Sequence, residues 1–193
     1  MAKSSRIMVA MTGASGAVYA KRLLEVLPGA YDTVYFSVSE NAARVMCDEL
    51  SLEHPEQIIP KDHKYKIKRY SCTDLYAPPA SGSHEYDGLV IIPCSMGTLG
   101  RVAAGISDDL ITRAADVCIK ERRKLILVVR ETPLSLIHLR NMTALAEAGA
   151  TILPASPGFY NQPNHVNDLV DFVVDRVLQV LGLNIRLTKG WGE

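Results

Sequence analysis

Five short stretches, each placed after an apolar run, hold the side chains that could do chemistry. They are Gly13-Ala14-Ser15-Gly16, Ser39, Ser95-Met96-Gly97-Thr98, Arg130-Glu131 and Ser156 to Tyr160. Together they offer glycines, hydroxyls, an arginine and a tyrosine, without the cluster of carboxylates that a hard metal ion needs. Hydroxyls and accessible backbone N–H groups suit a phosphate joined to a planar ring system. The first stretch breaks the run Ile7-Met8-Val9-Ala10-Met11 and leads into helical spacing from about Ala17. Such a turn lets backbone N–H groups approach a phosphate at a helix N-terminus, whose dipole favours the anion. It is not the dinucleotide fingerprint, which needs glycines two and five positions after Gly13, where Ser15 and Val18 stand. Nor does an acidic residue close the second strand, since Val38-Ser39 stands there with Glu40 one step further on. Both departures favour a mononucleotide such as FMN over NAD.

The elements that must position these groups follow from periodicity. Ala17, Ala20, Leu23, Leu24 and Leu27 keep helical spacing until Pro28-Gly29 stops them, and 33–38 reads as a second strand. Ser39 can cap a helix that runs to about Glu49. The excursion from about 50 to 86 lacks clear periodicity and holds at most one short strand, near 65–69. Buried strands are expected at 88–92, 125–129 and 151–153. Helices are expected from about Leu99, from Leu110 to about Glu121, and from Leu134 to Ala148, the last with Thr132 as N-cap and Pro133 at its first position. The final helix carries Val166, Leu169, Val170, Val173, Val174, Val177, Leu178 and Leu181 on one stripe, and a C-terminal tail follows from about 183. Strands alternating with helices, the strands themselves almost wholly apolar, predict an α/β domain over 1–193. Its parallel sheet should be of Rossmann or flavodoxin type, with helices on both faces and ligands outside the strands' carboxyl ends.

Composition narrows the partners. Lys plus Arg equals Asp plus Glu at 21 each, so no basic field attracts nucleic acid or anionic lipid. The four cysteines lie far apart with no zinc-type spacing, and no apolar run is long enough to span a membrane. A cytoplasmic protein with reduced thiols and no metal is expected.

The chain resembles the flavin prenyltransferase (UbiX-like) family over nearly its whole length. The residues that carry the resemblance are 11–17 (Met-Thr-Gly-Ala-Ser-Gly-Ala), 77–83 (Ala-Pro-Pro-Ala-Ser-Gly-Ser), 93–99 (Pro-Cys-Ser-Met-Gly-Thr-Leu), 113–117, 120–123, 130–134 and 157–160. The resemblance implies transfer of a dimethylallyl group from dimethylallyl monophosphate to N5 and C6 of reduced FMN. The product, prenylated FMN, would serve a UbiD-type decarboxylase. It also implies a homo-oligomer, usually a dodecamer, with sites built between subunits. By position it assigns FMN to Gly13, Ala14, Ser15, Ser39, Ser95, Met96, Gly97, Thr98 and Arg130. The prenyl phosphate falls to Lys120, Tyr160 and Arg176, and acid-base and cation-handling roles to Ser15, Glu49, Glu131 and Trp191. Glu49, Tyr160 and Arg176 are expected to reach a neighbour's flavin.

Plainer readings stand beside these. Arg113 has Asp109 and Asp116 within helical reach and can be a helix-face ion pair; Lys120 has Asp116 four residues before it. Arg176 has no acidic partner at such spacing. Glu49 can be a solvated charge, Trp191 a packing plug, and Ser39, Thr98 and Thr132 N-caps alone. Cys94 can be a buried structural thiol, and His138 a satisfied core or interface residue. Two other functions stay open on residues alone: a cysteine-peptide decarboxylase of the same fold, and a non-catalytic FMN carrier that assists a decarboxylase.

Overall fold

Along β1 (Arg6–Met11), Ile7, Val9 and Met11 enter one core while Met8 and Ala10 enter another. A strand buried on both faces has no polar side to show, and so it reads as continuously apolar. The same holds for β4 (Gly88–Cys94) and for β5 (Lys124–Val129) after its first residue. The computed structural model describes residues 5–190 and 192. With β2 (Thr33–Val38), β3 (Ile67–Ser71) and β6 (Thr151–Pro154), these strands form one parallel sheet in the order β3-β2-β1-β4-β5-β6. That is the Rossmann order, and strand succession reverses between β1 and β4, where such sheets open a crevice for ligands.

Helices cover both faces, as expected. α1 (Ala17–Val26), α2 (Glu40–Leu50) and α6 (Val166–Leu181) pack on the Ile7 side. α3 (Met96–Ala103), α4 (Leu110–Lys120) and α5 (Leu136–Glu147) pack on the Met8 side. The excursion supplies the edge strand β3, two residues later than expected, together with short 3₁₀ turns at Pro55–Ile58, Lys61–His63 and Pro78–Ala80.

Three expectations need correction. α3 begins at Met96, three residues before the first periodic apolar position, because the Ser95 hydroxyl accepts the Thr98 N–H at 3.3 Å and starts the helix there. α5 is capped by Ser135, which accepts the His138 N–H, while the Thr132 hydroxyl donates to the Glu131 carbonyl and is spent locally. Pro133 therefore precedes the helix. In α6 the buried stripe runs from Val170 to Leu181, with Leu169 only half-buried and Val166 70% exposed. The helix starts a turn before it meets the core.

α5 differs from the other helices in burying only Leu145. Leu136, Ile137 and Leu139 lie exposed along it, with Leu134 just before it. His138 is half-buried there, and its Nδ1 accepts the Ser135 N–H.

Candidate active site

At the carboxyl edge of the sheet, the turns after β1 and β4 are tied together by a buried threonine. The Thr12 hydroxyl donates to the Pro93 carbonyl at 3.1 Å and accepts the Ser95 N–H at 2.8 Å. Gly13 packs against the first turn of α2, where an added Cβ would stand 3.0 Å from the Asn41 Cβ. Gly16 has a φ of 118°, a left-handed conformation that favours glycine, and it turns the chain into α1.

α1 has no side-chain cap of its own, and Glu49, at the far end of α2, supplies one. Its carboxylate accepts the Gly16 N–H at 2.9 Å and the Ala17 N–H at 2.8 Å, and the Ser15 side chain hydrogen-bonds it as well. Burial pushes the carboxyl pKa up. The Ser15 bond, the two amides and the nearby Arg130 charge outweigh burial and hold it below the usual carboxylate range. Arg130 closes the knot by donating Nε to the Ser15 carbonyl at 3.2 Å. Ser15, Glu49 and Arg130 of one chain thus meet at one turn. Glu49 is exposed yet tied to the start of α1 in its own chain, and the α1 N-terminus, expected to cradle a phosphate, carries a carboxylate instead.

The open ground lies beside that knot. Ser39 caps α2 by accepting the Ala42 N–H, and its own N–H donates to the Met11 carbonyl. Ser95 caps α3. Gly97, in the first turn of α3, is exposed, and nothing lies within 4 Å of the position a Cβ would take. Backbone approach there is unobstructed, as a bound phosphate and flavin need. Exposed Gly13 and Ser15, Ser39, the α3 N-terminus and Arg130 form a cradle that fits FMN. Among the described residues no three His, Cys, Asp or Glu side chains come together to hold a metal. Cys94 is fully buried, and burial pushes its thiol up to about 12, so it cannot supply a thiolate nucleophile.

A second polar cluster sits at the other end of the sheet. Lys120 ends α4, pairs with Glu121 at 2.8 Å rather than with Asp116, and faces the 77–84 loop. The loop passes so close that a Cβ on Gly82 would stand 2.8 Å from the Lys120 Nζ. Arg113 pairs with Asp116 at 2.8 Å and donates Nε to the Ala80 carbonyl, while Asp109 goes to Arg101 instead. Arg123 donates to the Gly82 and His84 carbonyls and lies over the Tyr86 ring. These bonds pin the loop so that exposed Ser81 and Ser83, hydroxyl to hydroxyl at 2.8 Å, lie next to Lys120. No site residue was expected in this loop. Two serines around a glycine were the signal that could have marked it.

The remaining expected residues lie elsewhere. Tyr160 packs edge-on against Phe172 with 5.7 Å between ring centres, on the wall of a 420 Å³ cleft that Leu187, Thr188 and Lys189 also line. Arg176 is exposed on α6, one turn beyond Phe172, and donates to Gln179. The exposed Glu131 carboxylate accepts the Thr132 N–H at 3.0 Å. Trp191 lies outside the described residues. Within one chain, Lys120 is not brought to Tyr160 or Arg176, because α4 and α6 cover opposite faces of the sheet.

A model of the flavoprotein family matches residues 1–178. The flavin prenyltransferase UbiX of Pseudomonas aeruginosa is 48% identical to this chain, the match covering 100% of the chain and 97% of the relative. A crystal structure of AnUbiX (PadA1) in complex with FMN and dimethylallyl pyrophosphate superposes with a TM-score of 0.86 at 38% identity, covering 98% of this chain and 100% of that one. A dodecameric FMN-dependent UbiX-like decarboxylase from Escherichia coli O157:H7 gives a TM-score of 0.87 at 39% identity, with 97% and 100% covered.

Proposed function

The chain belongs to the flavoprotein family and within it to the UbiX flavin prenyltransferases, and we propose that it transfers a dimethylallyl group from dimethylallyl monophosphate to N5 and C6 of reduced FMN. The observation that carries this reading is the knot of Ser15, Glu49 and Arg130 beside the uncovered N-terminus of α3. FMN supplies the nucleophilic N5 and C6 when bound; the chain's own residues supply charge and proton handling. Arg130 and the α3 amides hold the flavin at the sheet edge. Forming the N5–carbon bond while the allylic C–O bond breaks releases phosphate and the N5 proton; closing the ring at C6 then consumes the prenyl double bond, which takes up one proton as C6 releases its aromatic one. The Ser15 hydroxyl, held by the Glu49 carboxylate, is placed to pass protons at that edge, with Glu131 or the departing phosphate as the final base. Lys120, Arg176 and the Tyr160 hydroxyl stabilise the leaving phosphate as its charge develops, and Ser81 with the Gly82 backbone completes Lys120's side of that pocket.

Lys120 lies on the opposite sheet face from Arg176, so one phosphate can meet both only across subunits. Exposed Leu136, Ile137 and Leu139 of α5 offer the apolar surface such an assembly would bury. We take the assembly to be a dodecamer, the state named for the E. coli relative. No helix among the described residues is long and apolar enough to cross a membrane, and a cytoplasmic location with a UbiD-type decarboxylase as recipient of the product completes the reading.

Anaerobic incubation with reduced FMN and dimethylallyl monophosphate should give a flavin heavier by one C5H8 unit. Bound flavin of unchanged mass on folded protein would favour a carrier role and overturn the transferase.

A further inference from the structure

Asp175 is the only charged residue buried among the described residues, with 2% of its surface accessible, and no step above uses it. Its Oδ1 accepts the Leu187 N–H at 2.8 Å, and its Oδ2 accepts the Thr188 hydroxyl at 3.3 Å and the Gln179 Nε2 at 2.6 Å. Arg186 approaches it at 3.7 Å. Three consecutive residues of the C-terminal segment are therefore fastened to one carboxylate on α6. From there the segment runs along the cleft that Tyr160 lines, where the Lys189 carbonyl accepts the Asn161 side chain.

Gln179 extends the chain of bonds to the next residue of α6. Its Oε1 accepts from Arg176. A guanidinium only donates and a carboxylate only accepts, so the amide between them can face one way, with nitrogen to Asp175 and oxygen to Arg176. The buried charge orients the amide, and the amide orients the arginine.

We propose that Asp175 is a positioning residue that latches the segment Arg186–Thr188 onto α6 and, through Gln179, presents Arg176 to the substrate phosphate. The second half rests on the assignment of Arg176 to that phosphate made above. An asparagine at 175 would present a donor as well as an acceptor, leaving Gln179 free to turn its nitrogen toward Arg176 and the segment held by weaker, uncharged bonds.

The test uses the full-length oligomer, with dimethylallyl monophosphate varied at saturating reduced FMN. Asp175→Asn should raise KM about tenfold and leave kcat within about twofold. Because the effect runs through Arg176, the double variant with Arg176→Ala should be no worse than Arg176→Ala alone. Trypsin should cut after Arg186 faster in Asp175→Asn than in the parent. Gln179→Leu, which keeps the latch and removes only the link, should reproduce the rise in KM without faster cleavage, and it serves as the kinetic test should Asp175→Asn fail to fold. An unchanged KM in Asp175→Asn or Gln179→Leu, effects that multiply in the double variant, or parental cleavage rates in Asp175→Asn would overturn the proposal. If Arg176→Ala alone leaves KM unchanged, the phosphate role of Arg176 falls, and the presenting role of Asp175 with it.

Discussion

At the start of α1 the first amide donors meet a carboxylate that is 33 residues away in sequence, and this has a pH signature. Glu49 is held below the usual carboxylate range, so the fold favours its ionised form. Its contribution is complete above the ordinary carboxyl pKa and is lost as pH falls through the lowered one. Glu49→Gln should therefore cost about 0.5–1 kcal/mol near neutral pH, the usual worth of an anion at a helix N-terminus. Melting temperatures of the two proteins should converge in acid, and a gap that stays constant down to pH 3 would show that the charge is not what matters. Ser15 sits between this carboxylate and the cradle. Ser15→Ala should bind FMN with a Kd within about threefold of the parent yet transfer the prenyl group on the order of a hundredfold more slowly in anaerobic single-turnover assays. Ser15 and Arg130 were legible because both follow an apolar run, and in a parallel sheet every such position falls on one edge. Glu49 was legible only through family resemblance. It ends an ordinary helix, and nothing local tells a capping carboxylate from a solvated one.

The elements were read best where burial on both faces leaves a continuous apolar run, as in β1, β4 and β5. They were read worst at helix starts, where several hydroxyls compete. Thr132 followed by Pro133 looks like a helix start, yet Ser135 provides the cap, since its hydroxyl reaches the His138 N–H and the Thr132 hydroxyl stays on its own neighbour. The two assignments separate by mutation. Ser135→Ala should lower stability by about 1 kcal/mol, whereas Thr132→Ala should change it by only a few tenths. Urea unfolding midpoints at constant slope would show the difference, and equal losses would mean that the helix start is shared. The 77–84 loop was invisible to periodicity for a different reason. Its shape is set by Arg113 and Arg123, which reach it from α4 and from the residue before β5. Bonds between residues some thirty to forty positions apart leave no local pattern.

For the whole molecule, the alternation of strands and helices was enough to foresee a parallel sheet covered on both faces, but not that the residues proposed to hold the phosphate stand at two ends of it. Lys120 stands where α4 hands over to β5, near the amino edge of the sheet, whereas Tyr160 follows β6 at the carboxyl edge. A strand of six residues sets these edges roughly 20 Å apart, too far for one small phosphate to touch both. Sites shared between copies make a prediction that a self-contained site does not. Lys120→Ala and Arg176→Ala, each expected to lose most of its transfer rate at dimethylallyl monophosphate concentrations below the parent KM, should complement under those conditions when both chains are co-expressed and assemble together. With random mixing at equal levels, a site that draws its lysine from one copy and its arginine from another receives both intact residues about a quarter of the time. Prenyl transfer should then recover to about a quarter of the parent rate per site, and should fall again as either variant is put in excess. A site completed within one chain could show no recovery at any ratio, because every copy would carry its own defect.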